Sequence, residues 1–381
     1  MTLDLISMTS YKSGTWIKRD GYRSFEPSLI NRPWRIDEPL VLEALSRADR
    51  QLGRLDMFSE YVPNLDLFVQ MHVTKEATQS SKIEDTRTEI EEAILPEEEI
   101  AVERRDDWRE VNNYIRAMKQ AVNGLQKLPF SNRLLCDAHA VLMEGVRGDR
   151  KTPGEFRRSQ NWIGGSNPGN ARFVPPFHDG VPQLMGDIEL FAHNADLHLP
   201  PLLKVAIMHY QFETIHPYLD GNGRIGRLMI PLFLLSQGIL KQPVLYLSDY
   251  LERNREEYYD RLSRVRSEND LSGWLHFFLD GITETAKHGV ETFDRILKFQ
   301  AHWEKEIHGW KPQAPAGLAL FRHLFTHTWV NAQQVADAAS VSLPTAYKLI
   351  ERFLDHKLLR EITGAKRDRI FLFEPYLQLF R

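Results

Sequence analysis

From residue 39 onward the apolar positions of this chain recur mostly at three- and four-residue steps, the spacing of a helical face. Leu40, Leu42, Leu45, Ala48, Leu52 and Leu55 form one stripe, and Pro63-Asn64 ends it. Leu65 to His72 reads as a short helix, and Thr74 to Asp85 follows as a run of good helix formers. Further helices are predicted over 108–125, from the N-cap Ser131 through Leu134, Leu135, Ala138, Leu142 and Met143, over 181–195, and over 202–215 with Val205, Met208, Phe212 and Ile215 on one face. Ile225, Leu228, Met229, Leu232, Leu235 and Ile239 keep the same period. Ser248 is expected to cap a helix from Tyr250 to Arg266, and another runs from Leu271 to about Ile307.

The remaining stretches break this period. Residues 1–35 scatter Tyr, Trp, Pro and Gly and read as an irregular arm; 86–107 is an acidic connector holding Pro96; 145–182 gathers Gly, Pro and Asn into a long loop. Trp310 to Pro315 is a proline-rich boundary. Beyond it come three helical segments, Leu318–Thr326, Ala332–Ala339 and Leu343–His356, then two β-like runs, Leu358–Ile362 and Arg369–Phe373, around Thr363-Gly364-Ala365. Three helices and a hairpin predict a winged helix, a fold that often binds DNA. This one is only weakly basic, with Lys366, Arg367 and Arg369 on its hairpin, so DNA and a protein contact such as a homodimer both stay open. The fold class expected is mainly α, in three parts: 1–125, 126–309 and 310–381.

The chemistry concentrates between two apolar helices, in the twelve residues His216-Pro217-Tyr218-Leu219-Asp220-Gly221-Asn222-Gly223-Arg224-Ile225-Gly226-Arg227. A glycine-rich turn entering a helix N-terminus directs free N–H groups at one spot and favours an anion there. Two arginines add forked donors suited to phosphate. His216 is a base titrating near neutrality, and Asp220 is a hard oxygen ligand of the kind Mg²⁺ takes. Together they suggest chemistry on a nucleotide. The same letters fit the dinucleotide fingerprint G-x-G-x-x-G, but that motif needs a strand before it and here a helix precedes. A calcium loop counted from Asp220 would need Gly and Glu where Ile225 and Pro231 stand. A plain helix–helix turn leaves the crowding of His, Asp, Asn and two Arg unexplained.

These twelve residues match H-P-[FY]-x-[DE]-G-N-G-R-x-x-R at every defined position, and the chain therefore resembles the Fic family of protein adenylyltransferases. The resemblance implies a Fic helical core with a small β-hairpin flap, an N-terminal helical arm and transfer of AMP from ATP to a Ser, Thr or Tyr hydroxyl of a protein, itself included. It implies His216 as base, Asp220 as Mg²⁺ ligand, and a nucleotide cradle of Gly221, Asn222, Gly223, Arg224, Ile225 and Gly226, with Arg227 on the γ-phosphate. Ser80-x-x-x-Glu84 is similar to the family's inhibitory motif, in which the Glu pairs with the last signature arginine; Asp85 stands where Gly or Asn is expected. Gly154-Glu155-Phe156-Arg157 resembles a bracing element. Arg172, Phe173, Val174 and Pro175 resemble the flap whose edge takes the target as an added strand. Tyr250 and Asn254 resemble adenine contacts in type and spacing. Removal of AMP with Glu84 positioning water, or a nucleotide-sensing transcriptional regulator, are the rival functions.

Composition adds limits. The 381 residues are 42% hydrophobic and 26% charged with a net charge of -4, which implies no global pull toward nucleic acid or membrane. No apolar run approaches a membrane span, and no secretion signal is read at the N-terminus. The single cysteine, Cys136, sits on an apolar stripe, reads as structural, and suits a reducing cytoplasm. The histidines His178, His193, His198 and His209 lack zinc-ligand spacing.

Overall fold

The computed structural model describes residues 6–59, 65–146, 151–364 and 368–380. It is 62% helical. The break expected at Pro63-Asn64 and the basic residues Lys366 and Arg367 lie outside the described residues.

The N-terminal arm is not irregular. β1 (Ile6–Ser7), β2 (Gly14–Lys18), β3 (Arg23–Pro27) and β4 (Trp34–Arg35) form two small sheets: β1 runs parallel to β4, and β2 with β3 makes an antiparallel hairpin that pairs Trp16 with Phe25. The turn carries Asp20-Gly21, with Gly21 at φ +75°, a common hairpin signal. Aromatic residues hold it down: Phe25 is buried and packs edge-on to Trp16.

α1 (Pro39–Ser59) buries Val41, Ala44, Leu45, Ala48, Leu52 and Leu55, packed along the 38-residue helix that follows below. Leu40 and Leu42, expected on its inner stripe, are exposed, because the buried face begins at Val41. α2 (Leu65–Ile83) is one helix where two were expected; nothing between His72 and Thr74 breaks it. The acidic connector holds a short helix, α3 (Ile90–Ala93), closed by a Glu89/Glu92 capping box. α4 (Arg105–Gly124) and α5 (Asn132–Leu142) pack together, and Ser131 Oγ caps α5 by accepting from the Leu134 N–H.

α6 (Val181–His193), α7 (Pro201–Ile215) and α8 (Asn222–Ser236) form the centre. α7 is buried from Leu202 to Ile215, and α8 on nearly every residue through Leu234. A helix apolar all round belongs inside. α8 continues through Pro231 without ending. α9 (Ser248–Arg253), α10 (Arg255–Glu268) and α11 (Leu271–His308) close the domain. Ser248 is not the cap expected of it: Leu247 is the capping residue, while the Ser248 N–H and hydroxyl both donate to the buried carboxylate of Glu76 on α2.

The C-terminal unit comprises α12 (Ala314–Leu324), β5 (Trp329–Val330), α13 (Ala332–Ala339), α14 (Leu343–Asp355), β6 (Arg360–Glu361), β7 (Phe371–Leu372) and α15 (Glu374–Gln378). Its antiparallel sheet has the order β5-β7-β6, so one more strand is present than the pattern predicted. Phe380 packs against Phe68 and His72 of α2. Among the described residues no helix is long and apolar enough to cross a membrane.

Candidate active site

His216 ends α7 in the left-handed conformation, φ +51°. A non-glycine residue holds that region only when its surroundings impose it. Here Arg157 and Asn161 impose it: Arg157 Nε and Asn161 Nδ2 each donate to the His216 carbonyl at 3.0 Å. The Arg157 guanidinium also donates to the carbonyls of Ser159, Ile215 and Pro176, and its N–H to Pro217 O. Arg157 is buried, and burial lowers its pKa to about 10. Within the stretch 154–157, Arg157 makes most of the contacts to this turn, and Phe156 lies against Tyr218. The His216 imidazole is half-buried, with Nδ1 enclosed, and burial, followed by Arg157, pushes its pKa down to about 4 against the pull of Glu84 and the Glu213 backbone. It is therefore a neutral base at neutral pH.

The loop after His216 is tied to itself. Asn222 Oδ1 accepts from the Tyr218 N–H at 2.7 Å and its Nδ2 donates to the Tyr218 carbonyl at 2.8 Å. Its side chain holds the loop closed, and its backbone N–H lies in the first turn of α8. His139 of α5 stacks on Tyr218 at 3.9 Å. His139 Nδ1 accepts from the Gly154 N–H and Nε2 donates to the Asp220 carbonyl. Gly221 takes φ +72°, and a β-carbon there would meet Met143 Sδ. The result is a helix N-terminus whose first N–H groups have no helical partners.

Asp220 Oδ2 accepts from Lys151 Nζ at 2.7 Å, and Oδ1 accepts from the Gly221 N–H. Burial opposes its charge, yet Lys151, the Gly221 N–H and Arg224 hold its carboxyl below the ordinary value. Among the described residues no three His, Cys, Asp or Glu gather as a ready metal site. One ionised carboxylate completed by substrate phosphate oxygens is a donor set that suits Mg²⁺.

The two arginines of the loop differ. Arg224 is buried and pairs with Glu110 of α4 at 3.1 Å. Arg227 is buried as well: Nε donates to Ser80 Oγ at 2.8 Å, and Nη2 donates to the Ser80 carbonyl at 2.9 Å and to Glu84 Oε1 at 2.8 Å. A β-carbon at Gly223 would collide with Glu84 Oε1, so the Glu84 carboxylate lies directly on the first turn of α8. Burial disfavours its charge, but Arg227, then Arg224 and His216, keep its pKa below the ordinary value. Asp85, next in sequence, adopts φ +68° and accepts from Arg255 at 3.0 Å. Asp tolerates the left-handed region better than most side chains, which reconciles it with a position where Gly or Asn was expected.

Other assignments move. Ile225 is fully buried in the core, so its side chain faces no ligand. Tyr250 packs against Gly281, and Asn254 Nδ2 donates to the Tyr250 carbonyl. Neither lines the cavity beside the signature loop. That cavity, about 380 Å³, is walled by Trp16, Phe173, Tyr259, Leu262 and Arg266, with Glu213 facing it. The α10 residues among these stand one to four turns after Tyr250 and Asn254. Arg172 borders the same cavity.

The flap is reduced to a single antiparallel bridge, Ile163 to Phe173, which exchange both backbone hydrogen bonds. Phe173 and Val174 are buried, and the Val174 carbonyl accepts from the Phe25 N–H of β3 at 2.9 Å. The Pro175 carbonyl accepts from Gln160. The edge at 172–175, expected to take a target strand, therefore already carries the chain's own hairpin. In an antiparallel pair the neighbours of a bonded residue point away from the partner. The backbone groups of Trp162 and Gly164, both exposed, thus face the opposite, open edge.

Residues 42–123 match the Fic/DOC family N-terminal region, and residues 129–234 match the Fic/DOC family. The chain is 30% identical over 184 residues to the "Protein adenylyltransferase Fic" of Drosophila virilis, covering 47% of this chain and 34% of that protein. It is 34% identical over 128 residues to the protein of the same name from Aedes aegypti, covering 33% and 23%. The chain thus spans about a third or less of the length of these curated relatives. A Fic family protein from Desulfovibrio desulfuricans G20 shares the fold with a TM-score of 0.56 at 20% identity, over 90% of this chain and 98% of that one.

Proposed function

We propose that this chain, which carries a Fic N-terminal region and a Fic domain, is a protein adenylyltransferase held in check by its own Glu84. ATP lies with its phosphates on the N–H groups at the start of α8. The target Ser, Thr or Tyr oxygen attacks the α-phosphorus. The new O–P bond forms as the bond to the β-phosphate oxygen breaks, and pyrophosphate departs. The hydroxyl proton passes to His216, whose imidazole is neutral at neutral pH. Asp220 is the residue that would hold Mg²⁺, which supplies charge neutralisation on the phosphates. Arg227 is the partner for the γ-phosphate once Glu84 releases it. Positioning and electrostatics carry such a transfer, and that suits a site built on braced backbone. The target segment adds as a strand at the open edge of Trp162 and Gly164, leaving β3 in place.

The observation that carries this reading is the Glu84 carboxylate seated over Gly223 and bonded to Arg227. It is an anion on an anion-binding helix terminus. The alternative, hydrolytic release of AMP with Glu84 orienting water, uses the same contact and is separated by experiment. Wild type, Glu84→Gly and His216→Ala are incubated with labelled ATP and a cell lysate, and labelled sites are mapped by mass spectrometry. Transfer is expected to rise in Glu84→Gly. His216→Ala should lower transfer by about 10²–10⁴-fold with nucleotide still bound. Near-normal transfer by His216→Ala sinks the assignment; label lost only from pre-modified protein supports the hydrolytic reading.

A further inference from the structure

Glu213 stands one helical turn before His216 on α7. It is 7% exposed, its Oε1 is buried without a hydrogen-bond partner, and it faces the 380 Å³ cavity beside the signature loop. An unpartnered buried carboxyl group is unfavourable to keep, so its persistence calls for a reason. The site accommodates it by design of a second residue: a β-carbon at Gly226, thirteen positions away, would collide with Glu213 Oε1. Burial raises its pKa to about 7 despite the nearby Arg227 and Arg266.

The cavity is lined mostly by aromatic and apolar side chains. Trp16 and Phe173 meet edge-on at 6.0 Å, Arg266 lies 4.0 Å over Phe173, and Tyr259 and Leu262 complete the lining. An ionised carboxylate repels phosphate, which directs Glu213 away from the triphosphate. Oε1 is enclosed against Gly226, so the oxygen offered to a neutral hydrogen-bond donor in the cavity is Oε2. We propose that Glu213 is a specificity-determining residue of the nucleotide site, accepting a hydrogen bond from a donor on the nucleoside half, either the amino group of the base or a ribose hydroxyl. This rests on the reading that the loop binds a nucleotide. It adds which residue reads the nucleoside.

The test compares two full-length proteins, Glu84→Gly and Glu84→Gly with Glu213→Ala, so that Glu84 competes in neither. Calorimetric titration measures ATP, inosine triphosphate, 2′-deoxy-ATP and 3′-deoxy-ATP against each. With Glu213 present, ATP should bind about tenfold or more tightly than one analogue, and the analogue affected names the donor: the base amino group or one ribose hydroxyl. In Glu213→Ala that ratio should collapse toward one. A merely structural role would weaken all four ligands alike and keep their ratios, so unchanged ratios overturn the proposal. Equal binding of all four by the protein that retains Glu213 overturns it too. Failure of that protein to bind any nucleotide overturns instead the nucleotide reading of the loop. Should Glu213→Ala fail to fold, Glu213→Gln carries the test: a neutral amide is a weaker acceptor than a carboxylate, so the ratio should shrink several-fold, and a constant ratio refutes the role.

Discussion

Arg227 and Glu84, 143 residues apart in sequence, meet at 2.8 Å with the carboxylate resting on the first turn of α8. The same guanidinium is held by the Ser80 hydroxyl and carbonyl, so α2 and the residue just after it supply three acceptors to one cation. A guanidinium engaged this fully has no free fork for a γ-phosphate. Glu84→Gly should raise AMP transfer at equal ATP and Mg²⁺. Arg227→Ala added to it should remove the gain, because both changes act through one contact and cannot add. Transfer by Glu84→Gly equal to or below wild type would show that Glu84 is no brake.

The brake depends on backbone shape as well as charge. Asp85 turns the chain at φ +68°, directly after Glu84, with Arg255 on its carboxylate. Asp85→Val puts a β-branched residue where it is strained by about 1–3 kcal/mol. The turn should loosen and basal transfer should rise, though less than in Glu84→Gly. Asp85→Gly relieves the strain and should leave basal transfer near wild type. Equal rates for the Val and Gly variants would argue against the turn's role.

Lys151 donates to Asp220 at 2.7 Å, on the carboxylate proposed above to hold the divalent cation. Lys151→Met should therefore lower the Mg²⁺ concentration needed for half-maximal transfer, since the cation no longer competes with an ammonium. Asp220→Ala should raise that requirement and cut transfer sharply. A magnesium titration of the three proteins checks both. An unchanged midpoint in Lys151→Met would remove Lys151 from this role.

Acid should destabilise the fold. Burial lowers the pKa of His72 and His209 to about 3 and of His139 and His216 to about 4. These groups stay neutral when folded but take up protons near pH 6.5 when unfolded. Between about 6.5 and 3 the unfolded chain binds more protons, so stability falls as pH drops through that window. Glu213 works the other way: its folded pKa is raised to about 7, so its burden is relieved below that pH. Burial raises the pKa of Glu26, Asp49, Glu76 and Asp187 in the same sense as Glu213, but the four histidines charge across this whole range when unfolded and carry the larger effect, so urea midpoints at pH 7.5, 6 and 5 should decline in that order. Midpoints that hold steady down to pH 5 would contradict the buried, neutral state of these histidines.

Several elements were legible because their cause is local. The period of Val205, Met208, Phe212 and Ile215 is a property of neighbours on one helix, and Ser131 caps α5 through a residue three places on. The hairpin at 14–27 was missed although Asp20-Gly21 marks its turn, because Trp16 and Phe25 are too few to show alternation over five-residue strands. α2 was divided because polar residues from Thr74 to Ser80 interrupt its apolar pattern. Of those, Thr74, Glu76, Thr78 and Ser80 are buried, on a helix packed against α4, α8 and α9, where Glu76 and Ser80 find partners.

The twelve residues from His216 to Arg227 determined by themselves a turn and a helix start, and they carry the chemistry proposed here, since a glycine-rich loop, a base and an acid stand within one turn of backbone. Which groups they meet was decided by tertiary structure alone. Glu110 claims Arg224, Ser80 and Glu84 claim Arg227, Lys151 claims Asp220, and Trp16 with α10 walls the cavity where Tyr250 and Asn254 were expected. Each pairing joins segments tens to hundreds of residues apart. A charge on a helix faces solvent or a partner according to how helices cross and what they bury, and no local run of residues encodes that crossing.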